Sequence, residues 1–307
     1  MEFEVGIIGA GPAGYSAGIY AARSGLKTIL FDTSDGGGHA LLAPKVENYA
    51  GFDSISGAEL VEKMKQHMKQ YPVDVHFFES VKTVSQKKNL FMIETDKRKY
   101  TVGAIILCTG TEHKKLDVPG EQQLSGKGVS YCATCDGFFF RGKTVAVIGG
   151  GNSAVIEAIF LRQIGCSKVI LIHRRDQLRA EQFYIHETSE KKIEVVLNTE
   201  VEKIEGTDAV QFLRLKNSVT GKHSVLPVDG VFVSIGKAPQ NQLAKQLKVT
   251  LDSDGYVMVD RKQQTSVRGV YAAGDITGGV QQMITAAAEG AIAALSSTEA
   301  VGKKYPY

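Results

Sequence analysis

The chain has 307 residues, room for two ordinary domains that each bury their own core. Its 36 Lys and Arg against 33 Asp and Glu leave a formal charge of +3, too mild and dispersed to argue for nucleic acid. No apolar run approaches the ~20 residues of a membrane span, and a strand begins too close to Met1 to leave space for a signal peptide. Four cysteines, two of them isolated, are too few for a disulfide-stapled secreted scaffold, so a soluble protein of a reducing cytoplasm is expected.

The opening predicts a strand over 4–8, a glycine turn, a helix over 12–24 ended by Gly25, and a strand over 27–32. Short β-branched runs around a helix-period segment form a βαβ unit on a parallel sheet. The turn reads Gly9-Ala10-Gly11-Pro12-Ala13-Gly14. A lone glycine-rich turn is weak evidence, but this one follows a strand, opens a helix, and has Asp32 ending the next strand. Gly9 would make the tight turn, Gly11 would admit a pyrophosphate to the helix N-terminus, and Gly14 would let helix and strand pack. Asp32 would accept ribose hydroxyls. The basic run Lys97-Arg98-Lys99 reads as a solvated turn, and 104–110 as a strand closing the first domain. The segment 114–120, with Pro119, reads as a linker.

Next comes Cys132-Ala133-Thr134-Cys135-Asp136-Gly137. Zinc takes four ligands, and Cys108 and Cys166 have no His or Cys neighbour in sequence, so the pair reads as a redox dithiol and not a metal site. Asp136 is placed to protonate a leaving thiolate during exchange, or else is only a turn former before Gly137. Cys108 and Cys166 read as packing residues.

The opening pattern then recurs: strand over 144–148, helix over 153–164, Gly165, strand over 168–173. Its turn is Gly149-Gly150-Gly151-Asn152-Ser153-Ala154. Here the second strand ends in His173-Arg174-Arg175, with Arg179 following, where an acid would bind an unphosphorylated ribose. Guanidinium forks match phosphate oxygens in charge and geometry, so NADPH is expected over NADH. A strand over 230–235 closes this second domain. After it come Gly274-Asp275 and an Ala-rich helix over 281–295, a tail expected to rejoin the first domain and leave the second as an insertion. The expected architecture is α/β, two Rossmann-like three-layer domains, one over 1–114 and 243–307, the other over 115–242.

Taken in order, these motifs resemble the low-molecular-weight thioredoxin reductases, a class of pyridine nucleotide-disulfide oxidoreductases. The matching pieces are Gly9 to Gly14, Gly37-Gly38 with Val46-Glu47-Asn48, the Cys132 to Gly137 run, Gly149 to Ala154, His173 to Ala180, and Gly274-Asp275. The resemblance implies FAD in the outer domain and NADPH in the inserted one, with a homodimer and thioredoxin as electron acceptor. It places Gly9, Gly11, Pro12, Ala13, Gly14, Asp32, Gly38, Asn48, Gly110, Gly274, Asp275 and Gln282 at FAD. It places Gly149, Gly151, Asn152, Ser153, Ala154, His173, Arg174, Arg175 and Arg179 at NADPH, and implies catalysis by Cys132, Cys135 and Asp136. The chain departs from the family pattern at His39-Ala40-Leu41-Leu42, at Cys108 and at Gln281.

Dithiol and NADPH motif share the inserted domain, while the implied flavin belongs to the other. Both must reach that flavin, so the inserted domain is expected to swing about hinges near 114–119 and 236–241, the motion the family also implies. Rival readings are a reductase serving a glutaredoxin-like protein disulfide oxidoreductase, and a ferredoxin/flavin-type NADP reductase, whose relatives lack the CxxC. The tail over 302–307 holds no redox cysteine.

Overall fold

The structure, a computed structural model, describes residues 1–43 and 46–304, without the side chain of Leu42. The last three residues of the tail lie outside the described residues. The chain divides into two compact units, Met1–Glu112 with Ala238–Tyr307, and His113–Lys237.

The first unit opens with β1 (Phe3–Ile8), α1 (Pro12–Arg23) and β2 (Thr28–Phe31). It continues with α2 (Gly57–Met68), β3 (Val73–His76), β4 (Val81–Lys87), β5 (Leu90–Thr95), β6 (Lys99–Leu107) and β7 (Thr111–His113). Pro12 sits where helix α1 can spare an N–H, and Gly25 follows the C-cap Ser24 in the left-handed region. The sheet runs β3-β2-β1-β6, with β1 parallel to both β2 and β6. On its other edge β6 pairs first with β5, antiparallel through Lys99 to Val102, and then with a returning strand, parallel through Ile105 to Leu107. The strand read over 104–110 is therefore longer at its start and shorter at its end. Its first residues alternate as half of a hairpin, and Cys108 to Gly110 leave the ladder to form the turn beyond it.

The second unit holds β8 (Val129–Ser130), α3 (Ala133–Asp136), β9 (Thr144–Ile148), α4 (Asn152–Gln163) and β10 (Lys168–Ile172). Then come α5 (Gln182–Glu190), β11 (Glu194–Val196), β12 (Thr199–Glu205), β13 (Phe212–Asn217), β14 (His223–Pro227) and β15 (Gly230–Val233). Its parallel sheet is ordered β11-β10-β9-β15-β8, and β12-β13-β14 form an antiparallel sheet beside it. The central strands are buried beyond the first residue of β9 and β10 and throughout β15, which explains their unbroken apolar runs.

The chain leaves and re-enters the first unit through β7 and β16 (Lys237–Pro239), then adds α6 (Gln242–Gln246), β17 (Val270–Ala272) and α7 (Met283–Ala300). β17 is the strand that returns to β6. Helix α7 runs five residues past the expected end at 295, since no breaker intervenes before Gly302. It packs closely on α1: a methyl on Gly290 would lie 2.8 Å from the Ala13 carbonyl carbon. Among the described residues, no helix is long and apolar enough to cross a membrane.

Candidate active site

Three constellations carry the chemistry, and the first sits at the C-terminal ends of β1, β2 and β6. Gly9 has φ of +106°, and a side chain there would collide with the Cys108 main chain, 2.7 Å from its carbonyl carbon. Gly14 faces the Gly9 carbonyl just as tightly. Helix α1 therefore starts flush against the sheet. Its N-cap, Gly11, makes no side-chain capping bond, and a methyl on it would meet open space. First-turn amides without a cap, facing open space, form a cradle for a pyrophosphate.

Asp32 lies beside that cradle. One carboxylate oxygen accepts from the Ala10 amide at 2.7 Å, and the other from the Ser34 amide and hydroxyl at 2.8 Å each. In the same unit the fold brings together residues far apart in sequence. Gly38 approaches Gly11, and the Gly274 backbone packs on Ala13 and Ala286. The Asn48 amide donates to Gln282 Oε1 at 2.9 Å, and Thr111 Oγ1 lies 3.5 Å from Asp275 Oδ2. Gly110, at φ of +66°, begins the turn after Thr109, whose hydroxyl bonds the Gln240 carbonyl. Pro12, Ala13 and Gln282 belong to the N-terminal ends of α1 and α7, so every expected FAD residue lies in the first unit.

Glu289 was not legible as a member of this group. Its Oε2 accepts from the Gly274 amide at 2.7 Å and from Thr277 Oγ1 at 3.3 Å, holding the Gly274-Asp275 turn. Burial pushes its carboxyl up, against those two hydrogen bonds, and Asp275 adds to the rise.

The second constellation repeats the first within the inserted unit. Helix α4 starts at N-cap Gly151, again without a side-chain cap and with open space at its Cβ position. Gly149 is pressed against Ser234 and Ala154, and Gly150 against the His173 ring. His173 is 6% exposed, and its Nε2 is buried without a hydrogen-bond partner among the described residues. Burial, then Arg179, Arg175 and Arg174, depress its imidazolium form, so it stands as a neutral ring beside three exposed guanidinium groups. Arg179 is tied in by its amide, which donates to the Gly150 carbonyl at 2.6 Å. Asn152 has its side chain in a reciprocal pair with Glu181, both bonds 2.8 Å, so Asn152, Ser153 and Ala154 offer a ligand main-chain amides.

The third constellation is the disulfide Cys132–Cys135, with Cα atoms 5.3 Å apart. Cys132 is the N-cap of the one-turn helix α3, and Cys135 and Asp136 lie within that turn, all three half-buried. Cys132 Sγ lies 3.3 Å from Thr134 Oγ1. Burial raises the Asp136 carboxyl above the usual carboxylate range, opposed by a 2.6 Å hydrogen bond from Ser130 Oγ. Ser130 is a residue that sequence reading missed, because nothing in its neighbourhood marks it until β8 is laid against α3. Cys108 and Cys166 are free and buried, with thiols pushed up by desolvation, as befits packing residues.

The family model described as pyridine nucleotide-disulphide oxidoreductase matches residues 3–290. The chain belongs to that family. Among its pyridine nucleotide-disulphide oxidoreductase relatives is a thioredoxin reductase of Mycolicibacterium smegmatis, 43% identical over 298 residues, covering 96% of this chain and 95% of that one. Another, from Listeria innocua, is 39% identical over 294 residues, 95% of this chain and 91% of that one. The crystal structure of thioredoxin reductase from Streptococcus pyogenes shares 36% identity, covers 97% of each chain and superposes with a TM-score of 0.86. The α/β architecture read from the sequence is thus found, and the chain spans nearly the whole length of these relatives.

Proposed function

We infer that this oxidoreductase is a thioredoxin reductase, taking electrons from NADPH through FAD and Cys132–Cys135 to a thioredoxin-like protein. The observation that carries the reading is the Cys132–Cys135 disulfide, held with the half-buried Asp136 carboxyl in the unit that bears the arginine-lined nucleotide turn. Relatives named thioredoxin reductase at about 40% identity, matched along nearly their full length, support it.

The residues fit both nucleotides. The open helix start at Gly11, with Asp32, Gly38, Asn48, Gly110, Asp275 and Gln282 of the same unit, would hold FAD over the first unit. The open start at Gly151, the unpartnered His173 Nε2, Arg174, Arg175 and Arg179 would hold NADPH and its 2′-phosphate on the inserted unit. When bound, the flavin supplies a two-electron carrier between a nicotinamide and a disulfide. The chain's part is to open Cys132–Cys135, deliver the proton of Asp136 to a departing sulfur, and offer a thiolate to the partner's disulfide.

Nucleotide arginines and disulfide share the inserted unit, so that unit would serve the flavin site twice, in two poses, by turning about the chain crossings expected near 114–119 and 236–241. The segments beside those crossings are each tied to their own unit: Gln240 donates to the Gly110 carbonyl, and Lys114 to that of Gly236. Phe138 and Phe139, 37% and 58% exposed, follow the disulfide and leave apolar surface suited to a protein acceptor. A homodimer and residence in the cytoplasm complete the proposal, and the free thiols of Cys108 and Cys166 suit a reducing compartment.

NADPH-driven reduction of oxidised thioredoxin, measured on wild type and Cys135→Ser, tests the reading. Wild type should turn over and the variant should stop, while its flavin still bleaches with NADPH. A variant that reduces thioredoxin at the wild-type rate overturns the dithiol route.

A further inference from the structure

Ser130 stands between Cys132 and Asp136, and the hydrogen bonds around its hydroxyl are directional. Its Oγ accepts from the Cys132 amide at 3.1 Å and lies 2.6 Å from Asp136 Oδ2 and 3.3 Å from the Cys132 carbonyl oxygen. A hydroxyl has one proton, so it donates to only one of those oxygens at a time. The shorter contact is to the carboxylate, and a hydrogen bond to a charged acceptor is the stronger of the two. The arrangement is a chain, Cys132 N–H to Ser130 O–H to Asp136 carboxylate, at a residue only 5% exposed.

The placement follows from the fold. Ser130 ends the two-residue strand β8, which pairs in parallel with β15. That pairing fixes the main chain two residues before the disulfide, and α3 then turns Asp136 back over it. Gly137 is packed against Phe160 and Leu161 of α4 and against Ile164 just beyond it, so the turn has little room to move.

We propose that Ser130 is a positioning residue for proton delivery at the disulfide: its hydroxyl, held by the Cys132 amide, fixes the Asp136 carboxyl and donates to the carboxylate left once the proton has gone. The inference rests on the reading of Asp136 as the acid of the exchange step. In that step an attacking thiolate forms a new S–S bond, the old S–S bond breaks, and its electron pair leaves on the departing sulfur. That sulfur takes the proton of the Asp136 carboxylic acid, and the carboxylate left behind accepts the Ser130 hydroxyl. The serine thus stabilises the product of proton transfer.

Other charged groups near this turn are engaged elsewhere. Glu121 accepts the Tyr131 hydroxyl and the amides of Leu116 and Asp117. Arg141 lies over Phe138 and donates to the Ile164 carbonyl. On α4, Arg162 bonds the Cys166 and Lys191 carbonyls, while Glu157 is influenced by Ser234 and Lys237. Strand β15 carries no titratable side chain. What remains to set Asp136 is its burial, which raises it, and Ser130, which lowers it.

The test compares Ser130→Ala, Ser130→Thr and Asp136→Asn in the flavin-loaded enzyme. The Asp136 carboxyl is titrated by carbon-13 NMR, and NADPH-driven dye-disulfide reduction is followed against pH. Removing a hydrogen bond to the charged form should raise the Asp136 midpoint in Ser130→Ala by about one pH unit, and the falling limb of the rate profile with it. Ser130→Thr should restore both, and Asp136→Asn should abolish the limb. An unmoved midpoint in Ser130→Ala overturns the inference and leaves the acid role of Asp136 standing. A limb that survives in Asp136→Asn removes that acid role and the inference together. Should Ser130→Ala not fold, Ser130→Val, with the shape of threonine but no donor, should give the same upward shift, and no shift there is equally fatal.

Discussion

The tight crossing of α1 and α7 makes the FAD cradle sensitive to one methyl group. In Gly290→Ala the new Cβ would stand 2.8 Å from the Ala13 carbonyl carbon and 3.0 Å from its Cα, with the carbonyl oxygen closer still. Carbon–carbon contacts settle near 3.5–4.0 Å, so the helices must part by roughly 0.7 Å or more at that point. Overpacking of this kind costs about 1–3 kcal/mol, against about 1 kcal/mol gained by replacing a helical glycine with alanine. The net should lower the apoprotein midpoint by several degrees, given roughly 2–4 °C per kcal/mol for a domain of this size. Because Ala13 belongs to the first turn of α1 and packs against Gly274, the same displacement should weaken FAD binding. Gly18→Ala is the control. It lies on α1 as well, but its methyl would meet side chains alone, 2.9 Å from Met68 Sδ and 3.8 Å from Leu30 Cδ1, and a thioether chain yields more readily than a main chain. Thermal unfolding of apoprotein and fluorescence titration with FAD should find Gly290→Ala impaired in both and Gly18→Ala near wild type. A Gly290→Ala protein with unchanged melting and FAD affinity would refute the packing argument.

Other outcomes are equally definite. Replacing Arg174 and Arg175 with Ala should raise the KM for NADPH roughly 10- to 100-fold, as expected for losing charge-assisted contacts to a phosphate, and leave that for NADH little changed. Equal effects on both nucleotides in steady-state assays would remove the 2′-phosphate assignment. Glu79 is buried; burial alone would raise its carboxyl, but hydrogen bonds from Thr95, Tyr100 and His76 hold it down at about 2. A depressed carboxyl contributes stability above its unfolded value, and that contribution drains away as pH falls from about 4.5 towards 2. Glu79→Gln should therefore be less stable near neutrality, by on the order of 2–3 kcal/mol, and converge on wild type near pH 2 in denaturant melts. For the two-pose proposal, a crosslink fixing the inserted unit where NADPH reduces the flavin should stop turnover and spare flavin bleaching; sustained turnover would contradict it.

The parts of this protein that could be read from its sequence are those whose signal is local. Each glycine turn announces itself by what lies within a few positions, strand before, helix after, and an acid or arginines ending the next strand. The dithiol needs only a spacing of three. Edges are less legible: β6 begins at Lys99 because β5 offers it an antiparallel partner, and that pairing is invisible in the strand's own residues. Least legible were contacts that close over distance. Glu289 meets Gly274 across 15 positions, Glu181 clamps Asn152 across 29, and Asn48 reaches Gln282 across 234. Cys108 shows a related limit. Its buried thiol is a packing group, but its main chain closes on Gly9, a contact set by backbone path and not by side-chain type.

Electrons that arrive by way of a flavin should leave this protein through one sulfur pair. Thiol counting on the yellow, FAD-loaded protein during anaerobic NADPH titration measures this directly. It should find two new alkylatable thiols per chain, at Cys132 and Cys135, with Cys108 and Cys166 still buried. Full reduction of the flavin with Cys132–Cys135 still joined, in a protein that nevertheless reduces thioredoxin, would contradict it.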